Sequence, residues 1–579
     1  MTGFRLRTIL FAHQRRRIDR INRDRTQTNL LVMIGRWVGP HEPNRADMRG
    51  SFAMKNGTWL LLIWSALLCV ESRMAYAATW PTAGNDLNNS RFQSQEFILS
   101  KYTVGNLKLK WSVATDSNVT ATPAVDSSFI YFPDYAGFLY KVDRSTGKIV
   151  WKTAISQYTG ITGDFARGTP ALVNGMLILG NQSGRLQTPQ PAQVFAVNTA
   201  TGAKVWSTQV DSTVMSYITQ SPIVYDGTAY VGTASNEELV AGFVSKANGW
   251  TWHFRGSVVA LNISTGAIKW QTYTVPNGYF GGAVWGSTGA VNTFNNTLYM
   301  AAGNNYWVPD SAQTCLRNGG SPAQCLDPSD YFDSILALDA STGAIKWAGR
   351  GLPYDAFNVG CGLVVPGVIQ IPKNDNCPNP RGPDWDFGQG PMIFSNVFFS
   401  SNVGAGQKSG RFWTFDGTFG FSKWTTQVGP GGTMGGMQWG SATDGARLYV
   451  AIGNTGGTDG SPPSPWLLEN GTTTVSGGWA ALDPNTGAVL WTTPDPAGSH
   501  ATGPVSVANG ITFGCNLDPS KGTMYAFDGS TGAVLWSYNS GGACQGGASI
   551  ADGVVYWGSG TTGPGPGPHK VFAFSLNGL

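Results

Sequence analysis

Two aspartates, Asp384 and Asp386, flank a tryptophan in the stretch GPDWDFGQG, residues 382–390, which is rich in glycine and proline. Charged residues make up only 12% of the chain, about half the usual share. Two carboxylates in one loop have two interpretations. Aspartates form turns by hydrogen bonding to nearby backbone, whereas a carboxylate positioned beside a substrate can take part in proton transfer.

Other polar residues are ambiguous when each is taken alone. Glu237 and Glu238 have the pattern of solvated surface acids, and Asn304 that of a turn residue. Arg167 is close enough in sequence to Asp164 to form a surface ion pair with it. These residues gain a chemical meaning only in combination.

Histidine and cysteine argue against the familiar metal motifs. Only His253, His500 and His569 lie beyond residue 77, which disfavours a histidine-built metal site. The chain has no CxxC or CxxCH motif, so neither a zinc ribbon nor a covalently attached haem is indicated. Six cysteines lie beyond residue 77, and an even number in an exported chain suggests disulfides, with near-neighbour pairing the simplest arrangement. They are Cys315, Cys325, Cys361, Cys377, Cys515 and Cys544.

A repeat identifies the elements that must position these residues. LYKVDRSTGKIVW, which ends at Trp151, is an alternating strand, an Asp-x-x-Thr-Gly turn and a second strand that closes on tryptophan. The Asx side chain and the glycine suit the turn, and the indole is large enough to wedge between neighbouring units. Further full copies end at Trp206, Trp270, Trp347, Trp491 and Trp536, a degraded copy at Trp424, and a lone strand, LKLKW, at Trp111.

Regular repetition of small sheets predicts an all-β fold, a β-propeller that protects its edges by circular closure. Eight tryptophan endings predict eight blades. The last strand, KVFAFSL at 570–576, repeats the first half of the motif and is expected to join LKLKW in one blade, so that both termini close the ring. The spacing between tryptophans grows in mid-chain, which places the extra length in loops, and GPDWDFGQG lies between Trp347 and Trp424.

The N-terminal region has the pattern of an export leader. Residues 54–77 begin at Met54 with a lysine, continue with an apolar run and end in Ala75-Tyr76-Ala77, which predicts a secretory signal peptide. Residues 1–53 are interpreted as a disordered or misassigned N-terminal extension, and residues 78–579 as the propeller. The apolar run is too short to span a membrane comfortably, so we expect a periplasmic or secreted protein that does not span the membrane.

Charge excludes one class of partner. The formal net charge of the whole chain is +4, but the residues after position 77 carry 25 basic and 29 acidic side chains, a net charge of −4. Without a basic surface, a nucleic-acid partner loses its main electrostatic support.

The Trp-ended repeat resembles that of the pyrroloquinoline quinone (PQQ)-dependent, or quinoprotein, alcohol dehydrogenases over nearly all of residues 80–579. YITQSPIVYDGTAYVGTASNEE resembles the family stretch in which a threonine contacts PQQ and a glutamate, eighteen residues later, binds calcium. This resemblance implies Thr219 as a cofactor contact and Glu237 as a calcium ligand, with Glu238 as the alternative one residue along.

Five more site residues follow from the resemblance. GGAVWGS implies Trp285 as the floor beneath the quinone, and LYMAAGNNYW implies Asn304 as a calcium ligand. GPDWDFGQG resembles the family's Trp-Asp-aromatic loop, which implies Asp386 as the catalytic base and a member of the metal site. GDFARGTP and GQKSGRFWTFDG imply Arg167 at a PQQ carboxylate and Lys408 at the quinone oxygen.

The implied activity is oxidation of an alcohol with PQQ and Ca²⁺ as cofactors. The closest appearance is to the polyvinyl alcohol dehydrogenase branch, which implies secondary hydroxyls, on a small or polymeric alcohol, as the substrate. No haem-containing region is present, so cytochrome c or another separate electron acceptor is expected. Lanthanide-using relatives place a second aspartate where this chain has Gly388, which favours calcium.

Two observations keep alternatives open. The family's calcium enzymes often carry adjacent cysteines over the cofactor, but ITGDF occupies that stretch here, which leaves the capping of PQQ unassigned. The repeat is also shared with non-catalytic propeller scaffolds of the outer-membrane assembly type, and a PQQ dehydrogenase for another alcohol or sugar is a further alternative. The combination of Glu237, Asn304 and Asp386 favours the enzyme.

Overall fold

Each copy of the Trp-ended repeat forms the third and fourth strands of a four-stranded antiparallel sheet. In the first copy the side chain of Asp143 accepts the backbone N–H groups of Ser145 and Thr146, at 3.0 and 2.9 Å, and so fixes the turn. The computed structural model describes residues 77–182, 189–365, 369–397, 400–432, 434–457, 459–562 and 567–579. The predicted extension, and the predicted leader up to Tyr76, lie outside the described residues.

Eight such sheets form the blades, and in blades 1 to 7 the four strands follow one another along the chain. Blade 1 has Ala124–Val125, Phe129–Pro133, Phe138–Asp143 and Ile149–Ala154, and blade 2 has Ala171–Val173, Met176–Gly180, Gln193–Asn198 and Lys204–Gln209. Blade 3 has Ile223–Tyr225, Thr228–Gly232, Ser257–Asn262 and Ile268–Tyr273, and blade 4 has Ala290–Asn292, Thr297–Ala301, Ser334–Asp339 and Ile345–Arg350. Blade 5 has Met392–Val397, Ser400–Gly406, Arg411–Asp416 and Ser422–Gln427, and blade 6 has Ala442–Thr443, Leu448–Ile452, Gly478–Leu482 and Val489–Pro494. Blade 7 has Ser506–Ala508, Ile511–Cys515, Thr523–Asp528 and Val534–Asn539, and blade 8 has Ala548–Ala551, Val554–Gly558, Lys570–Leu576 and Leu107–Ala114.

The connections carry short elements of their own. Four two-stranded pairs are Ser216–Tyr217 with Ala234–Ser235, Phe280–Gly281 with Asn305–Trp307, Leu363–Val365 with Ile369–Ile371, and Trp466–Leu467 with Thr473–Thr474. The α-helices are Ser156–Thr159, Glu237–Val240, Asp310–Arg317 and Pro322–Cys325, and the 3₁₀ turns are Val104–Asn106, Lys246–Asn248 and Val359–Cys361.

Blade 8 closes the ring with both ends of the propeller. Its third strand, Lys570–Leu576, pairs antiparallel with Leu107–Ala114, and Trp111 lies opposite Ala573. The predictions of an eight-bladed all-β propeller and of closure by the N- and C-terminal strands are confirmed. A short strand near the N-terminus, Phe92–Gln93, adds in parallel to Ser506–Ala508 of blade 7.

The repeated tryptophan and glycine are two halves of one contact between blades. Trp206 of blade 2 donates its indole N–H to the carbonyl of Ile263 in blade 3 at 2.8 Å. Gly266 of the same turn has φ +73° and lies against the Trp206 ring, where a β-carbon would come within 2.6 Å. Seven of the eight tryptophans make this bond to the next blade; Trp424 is the exception within the described residues.

Chain direction puts the long connections on one face of the propeller. Because the four strands of a blade alternate in direction, the connection between its second and third strands and the connection to the next blade share a face. The longest ones, residues 233–256, 302–333, 351–391 and 453–477, all belong to this face. The Thr-Gly turns lie on the opposite face, so the predicted expansion of loops on one face is confirmed.

The cysteines pair with their near neighbours, as predicted. Cys315–Cys325 closes the helical part of the connection 302–333, and Cys361–Cys377 closes a loop within 351–391. Cys515–Cys544 ties the second strand of blade 7 to the connection that enters blade 8.

Candidate active site

A buried lysine bridges the two aspartates of GPDWDFGQG. The Nζ of Lys408 lies 2.8 Å from Asp384 Oδ1 and 2.6 Å from Asp386 Oδ2. Both aspartate side chains are at most 3% exposed, and the backbone N–H of Lys408 donates to the carbonyl of Asp386 at 2.9 Å. The loop 382–390 and the turn after the second strand of blade 5 are thus joined by charge and by backbone.

A third aspartate holds the loop from behind. Asp355 is fully buried and accepts the backbone N–H of Asp384 at 3.1 Å and that of Trp385 at 2.7 Å. Asp384 itself has φ +63°, a left-handed conformation that asparagine and aspartate tolerate better than most residues. Asp355 therefore fixes the direction in which the side chains of Asp384 and Asp386 leave the loop.

Asn304 completes the contacts of Asp386. Its backbone N–H donates to Asp386 Oδ1 at 2.5 Å, and its side-chain nitrogen donates to the carbonyls of Asn305 and Phe357, at 3.1 and 2.9 Å. Because the amide nitrogen is held in this way, the amide oxygen is directed elsewhere, and it accepts no hydrogen bond from the described part of the chain. The structure therefore leaves one carbonyl-type oxygen available beside Asp386.

The charges around Lys408 do not balance. Burial raises the pKa of Glu238 to about 8, reinforced by the charge of Asp386, and raises the pKa of Asp355 to about 7. Burial and the neighbouring Asp355 hold the pKa of Asp333 well above its usual range, and both of its oxygens lack a hydrogen-bond donor among the described residues. Burial alone would lower the pKa of Lys408, but the charges of Asp384, Asp386 and Glu238 outweigh it and keep the lysine protonated. Carboxylates in such surplus favour binding of a cation.

The structure brings Glu238, and not Glu237, to this cluster. Glu237 accepts the backbone N–H groups of His253 and Phe254 at 3.1 and 3.0 Å, and its other oxygen lies 3.3 Å from His253 Nδ1. It lines a separate cavity of about 490 Å³ together with His253. Successive residues of a helix point about 100° apart, so in Glu237–Val240 only one of the two acids can face Asp386. The alternative register is the one that the geometry supports.

Trp285 lies beside the ion pair. The centroid of its ring is 5.4 Å from Lys408 Nζ. The ring packs edge-on against that of Trp439, with 5.2 Å between the two centroids. A β-carbon on Gly388 would come within 3.0 Å of the Trp285 ring. A side chain at this position would therefore crowd the indole, which would have to shift by a few tenths of an ångström.

Trp439 is a site residue that the sequence signalled but that we did not predict. GGMQWGS at 435–441 repeats GGAVWGS at 281–287, and both precede the first strand of a blade. Trp439 has φ +66°, which is unusual for a bulky residue and marks constrained backbone. The guanidinium of Arg167 lies 4.0 Å above its ring centroid, so Trp439 links Arg167 to Trp285.

A basic pocket lies next to the acidic cluster. Arg167 and Thr219, both predicted from the sequence, line it, and the hydroxyl of Thr219 is buried without a hydrogen-bond partner among the described residues. Arg91 also lines it; its guanidinium donates only to uncharged groups, on Val505, Ala83 and Thr122, and burial lowers its pKa to about 9. No sequence motif pointed to Arg91. The pocket measures only about 30 Å³, but two guanidinium groups and an unbonded hydroxyl have the charge and hydrogen-bonding capacity to bind an anionic group such as a carboxylate.

A family model of PQQ-type repeats, described as outer membrane protein assembly factor BamB, matches residues 99–349 and 410–562. The chain belongs to this family. Proteins named "Polyvinylalcohol dehydrogenase" from Sphingopyxis sp. (strain 113P3) and Pseudomonas sp. are 27% and 26% identical to it. In both cases the match covers 84% of this chain and 73% of the relative.

A solved structure of quinohemoprotein alcohol dehydrogenase from Comamonas testosteroni has the same fold. Its TM-score is 0.62 at 19% identity, over 88% of this chain and 82% of that one. The predicted resemblance to quinoprotein alcohol dehydrogenases and the predicted enzyme class are confirmed. The repeat alone does not distinguish a scaffold from a dehydrogenase within the PQQ-type family, but the two curated relatives are dehydrogenases.

The residues of this family member fit an organic anion and a hard cation. Among the described residues, no three His, Cys, Asp or Glu side chains are grouped closely enough to hold a metal ion by themselves. The oxygens of Glu238, Asn304 and Asp386 form a mixed set, one of the kinds that calcium accepts when a ligand supplies the remaining oxygens. The hydroxyl of Thr219, which has no hydrogen-bond partner among the described residues, and the guanidinium of Arg167 line the other half of the site.

Proposed function

We propose that this protein oxidises an alcohol to a carbonyl compound with PQQ and Ca²⁺, after export to the periplasm or the medium. One observation carries the proposal: the buried Asp384–Lys408–Asp386 group lies beside Trp285, between a surplus of carboxylates and a pocket lined by arginines. Both halves of this arrangement need a bound partner of opposite charge, because uncompensated buried charge is costly.

The chain's own residues divide between the two cofactors. Arg167 and Thr219 would bind carboxylates of PQQ, and the indole of Trp285 would stack on its ring system. Glu238, Asn304 and Asp386 would supply oxygens to calcium. When bound, PQQ supplies an electrophilic ortho-quinone that accepts the hydride from the alcohol carbon, while calcium polarises it.

Asp386 is the proposed general base. Lys408 lies 2.6 Å from its Oδ2 and holds in place the carboxylate that would accept the hydroxyl proton of the alcohol. The hydrogen bond from Asn304 to Oδ1 holds the carboxylate in one orientation, and Asp355 fixes the loop that carries it. Because the group is buried, each of these charges acts with little screening by water.

Substrate, acceptor and location follow from the relatives and from the sequence. We propose a secondary hydroxyl as the reacting group, on a small alcohol or on polyvinyl alcohol, the substrate in the names of two relatives. The electrons would pass to a separate acceptor such as cytochrome c. None of the helices in the described ranges has the length and apolar character needed to cross a membrane.

The test is reconstitution of the purified mature chain with PQQ and CaCl₂, followed by assay of alcohol oxidation with an artificial dye as acceptor. We expect activity that depends on both cofactors. Asp386→Asn keeps an oxygen for the metal and should bind PQQ, measured by quenching of tryptophan fluorescence, yet lose about 100-fold or more in kcat. Asp226→Asn, an exposed change on the opposite face of the propeller, is the matched control and should be unaffected.

Two results would contradict the proposal at different levels. A reconstituted wild-type protein that binds no PQQ and oxidises no alcohol would exclude the function. Full activity of Asp386→Asn in a protein that otherwise behaves as expected would exclude only its role as base.

A further inference from the structure

An open cleft of about 730 Å³ lies beside the candidate active site. Its walls come from the loop that carries Asp386, from the end of blade 5 and from the connection 453–477 of blade 6. This volume is in the range of pockets that hold drug-sized ligands. It is far larger than a small alcohol requires.

Two segments of the cleft wall are directly adjacent in the chain to residues of the catalytic group. Trp385, which lines the cleft, lies between Asp384 and Asp386 in the chain. Ser409, also in the lining, follows Lys408, and the N–H of Gly432 on the cleft floor donates to the carbonyl of Lys408 at 3.0 Å. The cleft therefore lies beside the segments that carry the proposed point of reaction.

The walls are neutral and rigid. Arg381 and Asp459 are the charged members of the described lining, and they carry opposite signs. Ser461 and Ser464 are exposed in the lining and present hydroxyl groups. The indole N–H of Trp466 donates to the carbonyl of Val428 at 2.9 Å and so joins the end of blade 5 to the connection 453–477. Such a surface offers hydrogen bonds to hydroxyl groups without selecting for charge.

Apolar groups complete the surface. Leu467 is 69% exposed and forms part of the cleft wall, and Trp385 is half-buried beside it. A carbon chain with regularly spaced hydroxyls suits both kinds of group, because its methylenes can pack on apolar side chains while its hydroxyls bond to the serine hydroxyls of the wall. A small alcohol could use only the end next to Asp386.

We propose that this cleft binds the chain segment next to the reacting carbinol of a neutral, extended polyhydroxyl substrate. The inference rests on the proposed function and adds to it that chain length determines affinity. Occupancy of the cleft contributes to binding of substrate and transition state alike, so its loss should raise KM and leave kcat almost unchanged.

The test fills the cleft with a bulky side chain. Ser464 is exposed and lines the cleft, and its hydrogen bonds, to and from Asn454, involve only its backbone. Ser464→Trp should raise KM for polyvinyl alcohol about tenfold and change kcat/KM for 2,4-pentanediol less than twofold. Ser264→Trp, an exposed serine in a turn on the opposite face, is the matched control and should change neither.

A second variant and a binding measurement make the outcomes separable. If Ser464→Trp fails to fold, Leu467→Glu is the replacement variant, and it should weaken binding of the polymer in the same way. Calorimetric titration of cofactor-free protein with vinyl alcohol oligomers should show binding that either variant abolishes. Equal losses on both substrates, or an unchanged KM for the polymer, would overturn the cleft proposal in an active enzyme. Absence of all activity, with oligomer binding that the variants abolish, would instead overturn the proposed function.

Discussion

Asp384 and Asp386 differ in what they do, although they are equally buried and both contact Lys408. The second carboxylate oxygen of Asp386, Oδ1, accepts the backbone N–H of Asn304, on the side where a cation and an alcohol would lie. Asp384 combines two properties, a left-handed backbone at φ +63° and a direct bond to Lys408. It therefore shapes the loop, as we expected from the sequence, and also shares the lysine's charge.

Removal of the charge on Lys408 should be costly in two ways. Lys408→Met leaves Asp384 and Asp386 buried without their cation, and breaking a buried ion pair costs about 3–5 kcal/mol. We expect that loss in the free energy of unfolding, measured with urea. We also expect kcat of the reconstituted enzyme to fall at least about 100-fold, because Asp386 loses the group that holds its carboxylate in position.

A surface lysine provides the comparison for this variant. Lys346 lies 3.4 Å from Asp339, and both side chains are about one third exposed. Lys346→Met should cost less than about 1 kcal/mol and leave kcat unchanged. If Lys408→Met were equally mild, the bridge between the two aspartates would not be the electrostatic centre of the site.

The resemblance predicted the site residues, and the structure adds features of the site that have local causes. Glu237 and Glu238 are adjacent, so a sequence motif cannot show which one faces Asp386 until the helix Glu237–Val240 fixes their directions. Arg91 lies in the pocket because the segment that carries it pairs with the first strand of blade 7, which is far from it in sequence. Trp439 could have been predicted, since its heptapeptide copies the one around Trp285.

At the scale of elements, the blades were predictable because their signal is local and repeated. Each strand–turn–strand unit carries its own alternation and its own Asx-Thr-Gly turn, so eight copies support one interpretation. The connections carry no such period. The sequence shows that the connections around the cleft and the Cys361–Cys377 loop are long. It does not predict the conformation that they adopt.

The glycine of the repeat should be required for its contact with tryptophan as well as for its backbone angle. Gly266 has φ +73°, and a β-carbon would come within 2.6 Å of the Trp206 ring and 2.7 Å of Thr208 Oγ1. Gly266→Ala should therefore cost about 3 kcal/mol, from left-handed strain plus overpacking between blades. The free energy of unfolding of the variant, measured with urea and compared with that of the wild type, gives this cost.

Gly227 separates the two contributions. It lies in the same blade with φ +67°, and a β-carbon there would have nothing within 4 Å. Gly227→Ala should cost only the backbone strain, about 1 kcal/mol. Equal losses for the two variants would mean that the indole contact adds nothing to the stability of the ring.

For the whole molecule, the closed ring has to stabilise a concentration of buried acids at its centre. Closure through Leu107–Ala114 and Lys570–Leu576 ties both ends of the propeller together in one blade. The carboxyl groups near Lys408 act against this stability whenever they ionise without a cation. The stability of the cofactor-free protein should therefore depend on pH in a defined direction.

Asp330 and Asp355 have pKa values raised to about 7 by burial, and Glu238 to about 8. In the unfolded chain such groups titrate near pH 4, so between about pH 4 and pH 8 the folded state binds more protons than the unfolded state. Stability must then fall as pH rises through this window. The turn aspartates, such as Asp143, have pKa values lowered mainly by the Ser145 hydroxyl and titrate below it.

We therefore expect the Tm of protein in chelator to be a few degrees lower at pH 8 than at pH 5, measured by calorimetry. Calcium should raise the Tm at pH 8, because a ligand that binds only the folded state stabilises it, and should have little effect at pH 5, where the carboxyls hold protons. Asp333→Asn removes one acid from the cluster and should reduce the pH dependence. A cofactor-free protein that is more stable at pH 8 than at pH 5, with no response to calcium, would show that these acids are compensated within the chain itself.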